Sequence, residues 1–217
     1  MPIVFSARLD GSEATRYFHV PLAQFYLRQA AIHTSTVLHT TEEEPKFKEA
    51  LLAILFSSLC LEAFANEMAE NKLEGDDLEH FFWLKGKYKN KGTGTGVAFK
   101  FKLMFAIQWS VDLSLQESPL KEVDELFSLR NELVHYKLTK AAGRAHMPQG
   151  ETHSTGRGGV ITTFDLTKEP TRIELPVVAK INERTAVSSY NAALRIIKRW
   201  NAEAGAPPDA LNGFNEM

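Results

Sequence analysis

One stretch, ALLAILFSSLCLEAFA at residues 50–65, constrains the fold more than any other part of the chain. It is apolar at nearly every position, so a helix built from it must be covered by neighbouring elements on most sides. The acidic residues Glu42–Glu44 precede it and favour a helix start, and the helical pattern continues to about Lys72. The sequence therefore predicts a helical bundle whose central helix spans about residues 42–72.

Apolar residues recur at helical spacing in several other stretches, and one region is strand-like instead. The further predicted helices span 21–39, 76–88, 99–115, 119–138 and 182–204. The segments 160–166 and 171–178 are rich in β-branched residues and predict a small β-hairpin inserted before the last helix. Residues 1–18 fit either a strand pair or an arm. We expect one domain over 1–205, with 140–180 as a loop and hairpin insertion, and a flexible tail over 206–217.

Composition limits the classes of function. The formal net charge of −2 gives no overall attraction to nucleic acid, so any such partner must be held by a local patch.

The single cysteine, Cys60, lies in the apolar stretch and predicts a core thiol in a reducing, cytoplasmic setting. That stretch is interrupted by polar residues and is shorter than the roughly 20 residues of a membrane span. No metal-ligand spacing is present, so neither a metal nor a cofactor is predicted.

The predicted helix over 119–138 carries the residues most suited to chemistry, Arg130, Asn131 and His135. Residues four apart share a helix face, so Asn131 and His135 are expected on one face with Arg130 at its edge. A guanidinium is a forked donor for phosphate oxygens, and an imidazole exchanges protons near neutral pH. Glu132 adds a negative charge beside this group. An arbitrary arginine and histidine at this spacing more often decorate a solvated face.

The surrounding sequence resembles the HEPN superfamily in three pieces that occur in order between about residues 45 and 138. LFSLRNELVHYK resembles the signature helix of that family, in which an arginine and a polar residue precede a histidine. SSLCLEAFANEMAE (57–70) resembles its second helix and places Glu62 and Asn66 four residues apart. WLKGKYK (83–89) is similar to a short family segment that precedes a variable loop.

This resemblance implies a mainly α, HEPN-like up-and-down bundle of about five helices that forms a homodimer. It further implies a metal-independent RNA endonuclease of toxin or defence type, in which two copies of the Arg130 helix meet across a cleft. His135 is then the general base or acid, Arg130 neutralises charge on the phosphate, and Asn131 holds the phosphate or orients the imidazole. Glu62 and Asn66 either orient that helix or satisfy donors within the bundle.

Two other interpretations stay open at this point. Members of the superfamily also act as non-catalytic dimerising modules, which implies a protein partner, such as an antitoxin or a nucleotidyltransferase-like protein, or a nucleotide. Alternatively the bundle is unrelated to the family and the motif is a coincidence.

Basic residues in and near two glycine-rich segments, 85–96 and 141–159, are candidates for RNA contact. They are Lys85, Lys87, Lys89, Lys137, Arg144 and Arg157. The alternative for such charge runs is a solvated surface without a ligand. The glycines at 92–96 do not form a nucleotide-binding phosphate loop, because no Gly-Lys-Ser/Thr follows them.

Overall fold

The chain forms two compact units, Met1–Asn131 with Asn182–Met217, and Glu132–Ile181. The computed structural model describes residues 4–10, 13–19, 22–90, 94–135, 144–146, 151–155, 159–163, 172–174, 178–206 and 211–217. The described part is mainly helical, as the sequence predicted. The second unit contains the predicted 140–180 insertion.

The first unit begins with an antiparallel strand pair, β1 (Val4–Asp10) and β2 (Glu13–His19), in which Val4 lies opposite His19. Of the two alternatives predicted for residues 1–18, a strand pair or an arm, the structure adopts the strand pair. The helices that follow are α1 (Leu22–His39), α2 (Glu43–Glu70), α3 (Gly75–Phe82), α4 (Gly96–Trp109), α5 (Leu120–Val134) and α6 (Glu183–Glu203). A 3-10 turn, Gly86–Tyr88, lies between α3 and α4. From Glu132 onward, α5 belongs to the second unit.

Helix α2 is the centre of the bundle, which confirms the prediction made from its apolar sequence. Ten of its residues are buried, Cys60 among them, and burial raises the pKa of that thiol. Helices α1, α4 and α6 pack on it. An aromatic cluster joins three of these helices: Trp109 of α4 and Trp200 of α6 have ring centroids 4.3 Å apart, and Phe64 of α2 lies 5.9 Å from Trp200.

Two predicted helices end earlier than expected. Helix α4 was predicted to reach Leu115 but ends at Trp109, because Ser110 takes a left-handed conformation with φ +57° and its N–H donates to Ala106. This is a C-terminal cap that usually uses glycine, so the serine gave no signal. Helix α3 was predicted to reach Tyr88 but ends at Phe82.

The predicted hairpin is wrong in its pairing. Strand β5 (Gly159–Thr163) pairs with β4 (Glu151–Thr155), inside the segment predicted to be a glycine-rich loop. Strand β6 (Arg172–Glu174) pairs with β3 (Arg144–His146). Only three residues, two of them glycines, separate β4 from β5 in sequence, and such a short connection favours pairing of neighbours over pairing across residues 164–171. Residues 164–171 and 175–177 lie outside the described part.

The tail was predicted to be flexible over 206–217; at its end, Glu216 and Met217 contact α6. The side-chain amide of Asn191 makes two hydrogen bonds with the main chain of Met217, at 2.9 and 3.1 Å. Arg195 binds the Glu216 carboxylate. No local sequence pattern predicts this contact, because it depends on which helix face the tail meets.

Within the described residues, no helix combines the length and apolar character that crossing a membrane requires.

Candidate functional site

Helix α5 places Arg130 at the edge of the core. The buried residues Leu120, Val123, Leu126 and Phe127 form one stripe along the helix. Arg130 follows Leu126 by four residues and Phe127 by three, so it continues that stripe where the core meets solvent. Its side chain is 27% exposed. The arginine is therefore half-buried on the core side of the helix and does not lie on a fully solvated face.

The guanidinium of Arg130 has two polar contacts among the residues that the structure describes. Its Nη1 donates to Oδ1 of the neighbouring Asn131 at 3.1 Å. Its Nη2 lies 3.8 Å from Oε2 of Glu62, which α2 presents. The second distance is an ion pair and is too long for a hydrogen bond. A guanidinium has five N–H donors, so most of them have no partner among the described residues.

The second predicted supporting residue, Asn66, binds a cation that the sequence analysis did not single out. The ammonium of Lys100, on α4, donates to Oδ1 of Asn66 at 3.3 Å. The same ammonium lies 5.6 Å from the ring centroids of both Phe81 and Phe82. Burial lowers the pKa of Lys100, and the nearby Glu62 carboxylate opposes this effect. Two lysines, Lys100 and Lys102, interrupt the apolar stretch FKFKLMF, and this interruption was the available signal for Lys100.

Glu62, Asn66, Lys100, Arg130 and Asn131 therefore form one polar group, which we call the Arg130 cluster. Glu62 and Asn66 are four apart on α2, and each faces a cation from another helix. Glu62 and Asn66 therefore both have polar partners in the bundle, as expected. The cluster combines two cations, one carboxylate and two amides at a partly exposed surface, a composition that can bind an anion such as a phosphate.

The remaining motif residues lie at the end of α5. The helix ends at Val134, so His135 is the first residue after it, and its side chain is exposed. The sequence predicted that this helix continues through His135, but the helix ends at Val134. The end could not be predicted from the sequence, because no proline or glycine marks it. Residues 136–143 lie outside the described part. Within the second unit, Glu132 binds Lys180 at 2.6 Å, which compensates the negative charge noted in the sequence.

The basic residues predicted to contact RNA are only partly described. Lys85, Lys87 and Lys89 are exposed, and the ammonium of Lys85 lies 5.9 Å from the ring centroid of Trp83. Lys87 binds Asp77 at 2.8 Å, and this hydrogen bond raises the pKa of Lys87. Lys137, Arg157 and the side chain of Arg144 lie outside the described residues, so no assembly of the six basic residues is established.

The described residues contain no group of three or more His, Cys, Asp or Glu side chains that could hold a metal ion. No family model, curated protein or solved structure matches the chain. The candidate site is therefore defined by the chemistry of the Arg130 cluster and by the motif of which Arg130 is the first residue.

Proposed function

We propose that this chain is a HEPN-like RNA endonuclease that acts as a homodimer and needs no metal ion. The observation that carries the proposal is the state of Arg130, the first residue of the Arg130-Asn131…His135 motif. It is half-buried and held by Glu62 and Asn131, yet most of its donors have no partner among the described residues. Such a pre-oriented guanidinium is suited to a phosphate whose charge increases during a reaction.

In the proposed reaction the ribose 2′-hydroxyl attacks the adjacent phosphorus. The new P–O bond forms as the bond to the 5′-oxygen breaks, which leaves a 2′,3′-cyclic phosphate and a free 5′-hydroxyl. One His135 accepts the proton of the 2′-hydroxyl as general base, and a His135 provides the proton for the leaving 5′-oxygen as general acid. Two copies of the chain supply the two histidines, as the HEPN resemblance implies.

Arg130 stabilises the negative charge on the non-bridging phosphate oxygens in the transition state. Asn131 accepts a hydrogen bond from Arg130 through Oδ1, so its amide N–H groups are left to donate to the phosphate. Glu62 is a positioning residue: its carboxylate sits beside one edge of the guanidinium and limits how that group rotates.

A non-catalytic dimerising module is the second candidate, and the same ion pair favours it. The carboxylate of Glu62 partly neutralises Arg130, which weakens attraction to a phosphate and suits a structural arginine. This candidate predicts that Arg130→Ala changes affinity for a protein partner or a nucleotide while no nuclease activity exists to lose.

The deciding experiment incubates purified full-length protein with unpaired RNA in excess EDTA. We expect cleavage to products with 2′,3′-cyclic phosphate ends, while DNA and 2′-O-methyl RNA of the same sequence stay intact because they lack the nucleophile. His135→Ala is expected to stop cleavage. His39→Ala is the matched control, since His39 is an exposed histidine on α1 that binds the Ser35 carbonyl. Intact RNA after incubation with the wild-type protein would overturn the proposal.

A further inference from the structure

Trp83 is an aromatic residue that lies largely in solvent. It directly follows α3, and 68% of its surface is exposed, more than for any other large apolar residue among those described. The next residue, Leu84, has φ +49°, a conformation that non-glycine residues rarely adopt. Burying an indole is ordinarily favourable by a large margin, so a tryptophan kept in solvent suggests a binding role.

Lys85 places positive charge next to this indole, and Lys100 places it next to the preceding residue, Phe82. Lys85 has its ammonium 5.9 Å from the Trp83 ring centroid, and Lys100 lies 5.6 Å from the ring of Phe82, the residue before Trp83. Lys87 contributes less, because Asp77 already binds it. We call Phe82, Trp83, Lys85 and Lys100 the Trp83 surface.

The Trp83 surface is connected to the Arg130 cluster through Lys100, which belongs to both. Lys100 binds Asn66, Asn66 lies one turn of α2 from Glu62, and Glu62 pairs with Arg130. Each step is a direct contact or one helical turn, and every residue in the series is at least partly exposed. The Arg130 cluster and the Trp83 surface therefore form one continuous series of partly exposed side chains.

We propose that the Trp83 surface binds unpaired RNA, with one base stacked on Trp83 and phosphates contacted by Lys85 and Lys100. This combination of an aromatic ring and nearby cations is the way single strands are bound without sequence preference. A duplex is a poorer ligand, because its bases are stacked on one another and present no free face to the indole. The inference rests on the proposed function, since it assigns the strand next to the scissile phosphate.

Binding is measured with a fluorescently labelled 2′-O-methyl oligonucleotide of about 10 nucleotides, within the usual size range of single-strand sites. This probe cannot be cleaved, so anisotropy reports affinity alone. We expect Trp83→Ala to weaken binding about 10-fold or more, the effect of losing one stacked base, and Trp83→Phe to restore most of the affinity. Ile107→Ala is the matched control, because Ile107 is also exposed at 42% and lies on α4.

Salt dependence tests the lysines separately. Lys85→Ala and Lys100→Met are each expected to lower the slope of log affinity against log salt by about one. Lys100→Met keeps the aliphatic packing of this partly buried side chain. Lys121→Ala on α5 is the control, since Lys121 is an exposed lysine whose one ion pair within the described part of the chain is with Glu125 at 3.9 Å.

Three results would overturn the inference: no binding by the wild-type protein, equal affinity of the wild type and Trp83→Ala, or binding of the matching duplex with the same dependence on Trp83. Its failure is distinguishable from that of the proposed function. If the protein binds the oligonucleotide through Trp83 but leaves cleavable RNA intact, the nuclease proposal fails and the RNA site stands. If the protein cleaves RNA while Trp83→Ala binds the oligonucleotide normally, the nuclease proposal stands and the RNA site at Trp83 fails.

Discussion

Two arginines in the helical bundle show how differently the same side chain can be used. Arg195, on α6, donates to Glu122 of α5 at 3.0 Å and to Glu216 of the tail at 3.0 and 2.7 Å. Among the described residues, Arg130 has a single hydrogen bond, to its neighbour Asn131, and a carboxylate at 3.8 Å. Both arginines connect elements distant in sequence. Only Arg195 has its donors engaged by two carboxylates.

The difference separates a structural arginine from one suited to a ligand. The hydrogen bonds of Arg195 to Glu216 and Glu122 raise the pKa of its guanidinium, and Arg195 in turn lowers the pKa of Glu216. A ligand phosphate would have to displace these carboxylates. At Arg130 a phosphate can bind the remaining donors while Glu62 and Asn131 stay in place.

The largest expected effect is on RNA cleavage. Arg130→Ala should lower the rate about 100- to 1,000-fold, as loss of one group that stabilises transition-state charge does. Arg195→Ala is the matched control and should cleave at nearly the wild-type rate. The measurement is the initial rate on unpaired RNA in EDTA, with thermal unfolding of each variant recorded in parallel. Equal losses in the two variants would mean that the contact pattern does not distinguish their roles.

A smaller effect is expected when the residue that holds Arg130 is changed. Glu62→Gln removes the charge but keeps the shape, so the guanidinium is held less firmly while the site becomes more positive. We expect kcat to fall about 10-fold, since small misplacements of a reacting group are costly, and RNA binding to tighten. Opposite changes in kcat and in affinity are the signature of a positioning residue. Glu125→Gln, on the exposed side of α5, should change neither, and a Glu62→Gln variant with unchanged kcat would refute the positioning role.

The sequence predicted those parts of this comparison that depend on local pattern. The apolar run of α2 predicted the central helix, and Asn182 starts α6 with a capping box to Thr185 that local sequence favours. Glu62 and Arg130 were both candidates for the site. The sequence did not predict three contacts: the pairing of Glu62 with Arg130, the contact of Lys100 with Asn66, and the binding of Arg195 by two carboxylates. Each of them joins segments that are far apart in sequence. The strand pairing in the second unit was wrong for a different reason: β5 pairs with β4, its near neighbour in sequence, in a segment predicted to be a loop.

The structural role of Arg195 predicts a moderate loss of stability. Arg195→Ala should lower the free energy of unfolding by about 1 kcal/mol, since its ion pairs are partly exposed and solvent weakens them. Arg199→Ala is the comparison on the same helix, because the one ion pair of Arg199 among the described residues is with Glu203, one turn away. We expect Arg199→Ala to have the smaller effect in chemical denaturation. Equal values would show that the links to Glu122 and Glu216 add nothing to stability.

The smallest effect concerns the tail at low pH. Because Arg195 lowers the pKa of Glu216, the folded state favours the ionised carboxylate. The stabilisation is therefore complete above the usual pKa of a glutamate, about 4.3, and is lost as the pH falls through the lower folded value. The amide signal of Met217, whose N–H donates to Asn191, reports this by NMR. Acidification should release it below about pH 4.3 in the wild type, and Glu216→Gln should lack that step. If the release persists in Glu216→Gln, the pH dependence belongs to another group. The contact between Arg195 and Glu216 would then not control the position of the tail at low pH.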